Sequence, residues 1–84
     1  MVTVTYTRQA ERSIRRLPRN LSQRIVDNVD QLAADPDSLA NNVTELKGSA
    51  GLQRLRIGQY RVIFHKAGDS ITVLAIEPRG SAYQ

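Results

Sequence analysis

Arg54, Arg56 and Arg61 flank Gly58-Gln59, a pair suited to a two-residue type II′ turn because glycine tolerates its first central position. With the turn there, Ile57 faces Tyr60, Arg56 faces Arg61 and Arg54 faces Ile63. Side chains alternate along a strand, so Arg54, Arg56, Arg61, Ile63 and His65 project from one face. Leu55, Val62 and Phe64 project from the other. Arg56 opposite Arg61 is unfavourable by itself, since like charges repel across a ladder. No acid in either strand neutralises them. Guanidinium groups held on rigid strands suit an anionic ligand, above all a phosphate, which they bind through a planar fork of donors. The competing reading is a set of solvated arginines whose counter-charges come from elsewhere in the fold.

Three further positions belong to the same chemistry. Arg79 follows the last apolar run, where functional groups often ride on a loop held by a scaffold, and Tyr83 comes four residues later. Together they could hold a phosphate and stack on a base. By itself a tail of this kind reads more readily as a frayed terminus. His65 is the chain's one histidine, and an unperturbed imidazole titrates near pH 6.5, within reach of base catalysis. Its place near a strand end also fits a structural or merely exposed side chain.

The elements that must position these groups follow from periodicity. Val2 and Val4 alternate with Thr3 and Thr5, giving a strand that ends near Tyr6. Thr7 can cap a helix over residues 8–17, whose apolar stripe is Ala10, Ile14 and Leu17. Leu21, Ile25, Val29 and Leu32 mark a second helix over 20–34, ending before Asp35-Pro36. A polar connection over 37–42 leads to 43–46. After Gly48-Ser49-Ala50-Gly51 the period drops to two, with strands over 52–57, 60–66 and 70–76. The expectation is one α+β domain over residues 1–84, ordered β-α-α-β-β-β, with a helical hairpin packed on a mostly antiparallel four-stranded sheet. Arg8, Arg12, Arg15, Arg16 and Arg19 crowd the first helix and its end. They form either a solvated face or a set of phosphate contacts that adds salt-sensitive affinity.

Composition narrows the field. The 84 residues carry 12 Lys+Arg against 8 Asp+Glu, a formal charge of +4, and ten of the twelve cations are arginine. There is no cysteine, so disulfides, thiolate nucleophiles and Cys-based zinc sites are excluded. No metal or cofactor is expected. No run approaches the roughly 20 apolar residues that span a bilayer, and residues 1–6 lack the basic start of a signal peptide. A cytoplasmic protein without a membrane partner is the expectation.

Leu46-Lys47-Gly48, the hairpin Leu55-Arg56-Ile57-Gly58-Gln59-Tyr60-Arg61-Val62-Ile63-Phe64, and Ile76-Glu77-Pro78-Arg79 with Tyr83 resemble the RelE/ParE superfamily of bacterial toxin–antitoxin toxins. Tyr6-Thr7-Arg8-Gln9-Ala10 and Leu17-Pro18 resemble that superfamily's opening strand and helix. The match covers nearly the whole chain, and the Leu-Arg-x-Gly-x-Tyr-Arg hairpin is its most specific part. The resemblance implies a RelE-like fold and one of two activities. RelE-like members are metal-independent endoribonucleases that cut mRNA, typically in the ribosomal A site. ParE-like members poison DNA gyrase and lack the nuclease residues. A third outcome is a non-catalytic relic that still binds an antitoxin.

Carried over residue by residue, the RelE branch assigns Arg61 to the scissile phosphate, Arg79 to charge on the phosphate or leaving group, and Tyr83 to stacking on the substrate. Arg54 and Arg56, with Lys47 further out, are the nearest matches to its paired basic strand residues. Two departures stand out: Pro78 where many relatives have histidine, and arginine where some have lysine. Arginine stabilises anions but is a poor general base, its pKa exceeding about 12, which leaves His65 as the secondary candidate for that role. The expected partners are a RelB- or ParD-like antitoxin, mRNA and the ribosome.

Overall fold

The computed structural model describes residues 2–46, 48 and 51–78. The chain runs β1 (Thr3–Tyr6), α1 (Arg8–Arg16), α2 (Arg19–Ala34), a 3₁₀ segment (Pro36–Asn42), β2 (Val43–Glu45), β3 (Leu52–Ile57), β4 (Tyr60–Ala67) and β5 (Ser70–Pro78). The strands form one sheet in the order β1-β5-β4-β3-β2, with β1 parallel to β5 and the other neighbours antiparallel. The class is α+β, as the periodicity implies, but the sheet has five strands rather than four. The added strand is β2, which pairs Val43 with Leu55 and Glu45 with Gln53. Three residues with a single apolar member are too short to show a period of two, so β2 leaves almost no trace in the sequence.

Each helix boundary has a local cause. Thr7 caps α1 by accepting from the Ala10 amide at 3.2 Å, and its hydroxyl donates to the Leu74 carbonyl at 2.9 Å. That carbonyl is available because β5 carries a bulge: Ile63 pairs with Ala75 and Phe64 with Val73, leaving Leu74 outside the β4–β5 register. One threonine therefore starts a helix and ties it to the sheet. Pro18 separates α1 from α2 and precedes the first turn of α2, where its missing N–H costs no hydrogen bond. Asp35 leaves helical geometry at φ −148°, ψ 79°, and Pro36 opens the 3₁₀ segment.

Both helices cover one face of the sheet. Ala10, Ile25, Val29 and Leu32 from the helices meet Leu55, Ile57, Val62, Phe64, Ile71, Val73 and Ile76 from the strands, all buried. Burying a side chain such as Phe64 contributes about 1.5–3 kcal/mol. Among the described residues the other sheet face carries no helix, and the arginine-bearing positions of β3 and β4 point that way. Among the described residues no helix is long and apolar enough to cross a membrane.

Candidate functional site

The β3–β4 hairpin has the register that its turn implies. Ile57 pairs with Tyr60, Arg56 with Arg61 and Arg54 with Ile63. Gly58 has φ +56°, while no described non-glycine residue has positive φ. A type I′ turn would need positive φ at Gln59 as well, so the turn fits type II′. Alternation then puts Leu55, Ile57, Val62 and Phe64 into the core and leaves Arg54, Arg56 and Arg61 on the open face.

These three arginines line one cleft of about 200 Å³ together with Asn41, Asn42, Thr44, Gly58 and Tyr60. The 3₁₀ segment and β2 supply the wall beside β3. Asn42 fixes that wall, its side-chain amide donating to the Arg56 carbonyl at 3.3 Å. At the hairpin tip a fourth guanidinium approaches. A Cβ placed on Gly58 would lie 3.2 Å from an Arg24 Nη atom, so α2 brings Arg24 against the turn. No acidic residue lines the cleft among the described residues. The arrangement can hold an anion and stabilise negative charge that develops on it. The amides of Asn41 and Asn42 and the Thr44 hydroxyl add neutral donors and acceptors.

The third strand supplies the counter-charge that the hairpin lacks. Glu77 on β5 pairs with Arg61, so one cross-strand row reads Arg56, Arg61, Glu77. An opposite charge directly across a ladder is favourable and offsets the Arg56–Arg61 repulsion. Glu77 thus serves the fold on one side of Arg61, while the cleft lies on the other.

His65 is exposed and pairs with Leu52, four residues along β4 from Arg61. At the rise of a strand that is roughly 13 Å, and His65 is not among the residues that line the cleft. Its Nε2 instead lies 3.0 Å from the position a Cβ would take on Gly51. Lys47, Arg79 and Tyr83 lie outside the described residues. No group of three or more histidine, aspartate or glutamate side chains that could hold a metal converges among the described residues.

Sequence reasoning missed Arg24, Asn41, Asn42, Thr44 and Glu77 as neighbours of the arginine cluster. Arg24 precedes the core residue Ile25 and reads as an ordinary exposed helix position. Asn41 and Asn42 read as polar connection. The pairing of β2 and β5 places Thr44 and Glu77, with Asn41 and Asn42 leading into β2, and α2 places Arg24 at the hairpin tip.

A family model for the ParE toxin of the type II toxin–antitoxin system parDE matches residues 4–83. Comparison with the curated proteins gives no significant match. Among solved structures, the chain is similar to one from the archaeal RelE–RelB complex of Pyrococcus horikoshii OT3, at 28% identity over 95% of this chain and 97% of that one, with TM-score 0.80. A chain of the RelBE2 toxin–antitoxin complex of Mycobacterium tuberculosis shares the fold at 23% identity, covering 93% of this chain and 98% of that one, with TM-score 0.78. A chain of the chromosomal ParDE system of P. aeruginosa also shares it, at 18% identity over 94% and 97%, with TM-score 0.71.

Proposed function

This chain belongs to the ParE toxin family of type II toxin–antitoxin systems, within the RelE/ParE superfamily, and we propose, on its arginine cleft rather than on that membership, that it is a metal-independent endoribonuclease of the RelE kind. The observation that carries the reading is the convergence of Arg54, Arg56 and Arg61 in one cleft. In the proposed reaction a ribose 2′-OH attacks the adjacent phosphorus and the 5′-oxygen leaves, giving a cyclic phosphate. Negative charge grows on the phosphoryl oxygens, and Arg61 stabilises it there. Arg54 and Arg56, with Lys47 further out, hold the flanking phosphates. Arg79 neutralises charge on the phosphate or leaving group, and Tyr83 stacks on the substrate. Pro78, the residue before Arg79, pairs with Tyr60 on the rim of the cleft.

The described part of the cleft offers charge stabilisation and positioning rather than a base. Removing one donor aimed at a developing oxyanion costs about 10²–10³ in rate, and a substrate held in line by the ribosome would contribute further through orientation. His65 is the candidate for proton removal, four residues along β4 from Arg61 on the same strand face. The natural partner is an antitoxin, since the similar toxins above were solved in toxin–antitoxin complexes or systems. The substrate is mRNA on the ribosome.

The test is translation in a cell-free system with mRNA 5′ ends mapped and no metal added beyond what translation needs. Wild-type protein is expected to cut within the coding region. Arg61→Ala and Arg79→Ala are each expected to lower cutting at least about tenfold with the melting profile retained. Equal cutting by both variants would overturn the assignment. A second reading, inhibition of DNA gyrase, is favoured by the ParE description of the matching family. Trapped gyrase–DNA cleavage complexes with intact mRNA would select it.

A further inference from the structure

The cleft leaves the most concentrated positive charge of the molecule unused. Arg8, Arg12, Arg15 and Arg16 occupy four of the nine positions of α1, and Arg19 opens α2; all five are exposed. Arg8, Arg12 and Arg15 are spaced by four and three residues, so they share one side of the helix, with Arg16 beside them. From Arg8 to Arg16 the row extends about 12 Å along the axis. Glu11 is the single acid on α1 and lies with Arg8, Arg12 and Arg15 around a shallow surface depression. Among the described residues, none of the five arginines makes an ion pair.

Arg15 and Arg16 sit in the last turn of α1, where the helix dipole favours a cation, but the rest of the row works against the fold that carries it. Like charges four residues apart weaken a helix, and Arg8–Arg12 and Arg12–Arg16 are such pairs. Arg19 stands in the first turn of α2, where the helix dipole disfavours a cation, and that turn holds no acid. Sequences that keep locally unfavourable choices tend to do so for function.

The chemistry of the surface selects the partner. The exposed positions of α1 are Arg8, Gln9, Glu11, Arg12, Arg15 and Arg16, none of them apolar. A stable protein interface needs a desolvated apolar or aromatic centre, whereas a nucleic-acid backbone is held by charge alone. We propose that the arginine row of α1, continued by Arg19, is a second nucleic-acid site that binds successive backbone phosphates without reading sequence. The helices lie on the sheet face opposite the cleft arginines, so the two sites act separately. The proposal holds whichever chemistry the cleft performs.

The test is fluorescence anisotropy of the full chain with a labelled single-stranded oligouridylate, titrated across a salt series, with polyglutamate as the competing polyanion. The triple variant Arg12→Gln, Arg15→Gln and Arg16→Gln is expected to bind at least about tenfold more weakly at low salt. Its slope of log affinity against log salt should be shallower by about two, near 0.7 per lost phosphate contact. The single variant Lys66→Gln, an exposed cation of β4 outside both sites, should leave affinity and slope unchanged. Should the triple variant unfold, the three single variants are measured instead, each expected to lower the slope by roughly 0.7. Wild-type affinity and slope in these variants would overturn the proposal. So would tighter binding of polyglutamate than of the oligonucleotide, which would make the surface a docking site for an acidic protein.

Discussion

Arg61 has Arg56 across one side of its strand and Glu77 across the other. The first pairing is legible from the sequence, because a glycine-led turn and strict alternation fix a hairpin register. The second is not, because it depends on how β5 meets β4 across the bulge at Ile63 and Phe64. Local patterning thus finds the cations of a candidate site more readily than the acid that steadies them. Tyr6 poses a different residue-scale problem. Its hydroxyl is buried without a hydrogen-bond partner among the described residues. Burial, with the nearby Asp30 carboxylate adding to it, pushes its pKa up to about 12 from 10.0. The neutral phenol is the form the fold accepts. Between those two pH values the unfolded chain has lost the proton that the folded chain keeps, so unfolding is favoured. Stability from this residue is complete below pH 10 and falls as the pH rises toward 12. Tyr6→Phe is expected to abolish that alkaline loss and to raise neutral-pH stability by about 1 kcal/mol, since an unsatisfied hydroxyl is removed. Chemical denaturation at several pH values checks both parts.

At the scale of elements, the two helices and three long strands could be drawn from periodicity, within one or two residues at most ends. The period of four and three through Ile25, Val29 and Leu32 survives as buried core. What periodicity could not supply is the edge. The 3₁₀ segment and β2 together span residues 36–45 and offer the core only Leu39 and Val43, both partly buried. Yet this weakly patterned stretch supplies Asn41, Asn42 and Thr44 to the cleft. The α1 cap is a second element-scale device, with Thr7 joined both to Ala10 and to Leu74 in the bulge of β5. Thr7→Ala is expected to destabilise the chain by about 1–2 kcal/mol, toward the upper end for a lost N-cap because a sheet contact goes with it. Thr7→Ser, which keeps the hydroxyl, should recover most of that loss in a denaturant titration.

Across the whole molecule, charge is segregated along the chain. Residues 8–24 hold six arginines and Glu11, whereas residues 27–45 hold five acids and no base. A partner that presents carboxylates to the basic side would be steered by this field. Its association rate should fall about tenfold or more between low and high salt, with dissociation changed far less. Stopped-flow mixing with an antitoxin across a salt series measures this. The global topology was the part least visible in the residues, because the parallel pairing of β1 with β5 joins segments that share no local signal. Thr7 and Leu74, bonded across that junction, are 67 residues apart. The strand made last among the described elements therefore lies inside the sheet, between the one made first and the hairpin that bears the cleft arginines. A nascent chain emerging in order would hold β1 without a partner strand, and α1 without the strand it packs against, until β5 arrives. Synthesis of this toxin thus carries its own delay, since the first and the last of these strands must meet before the sheet that bears the cleft is complete.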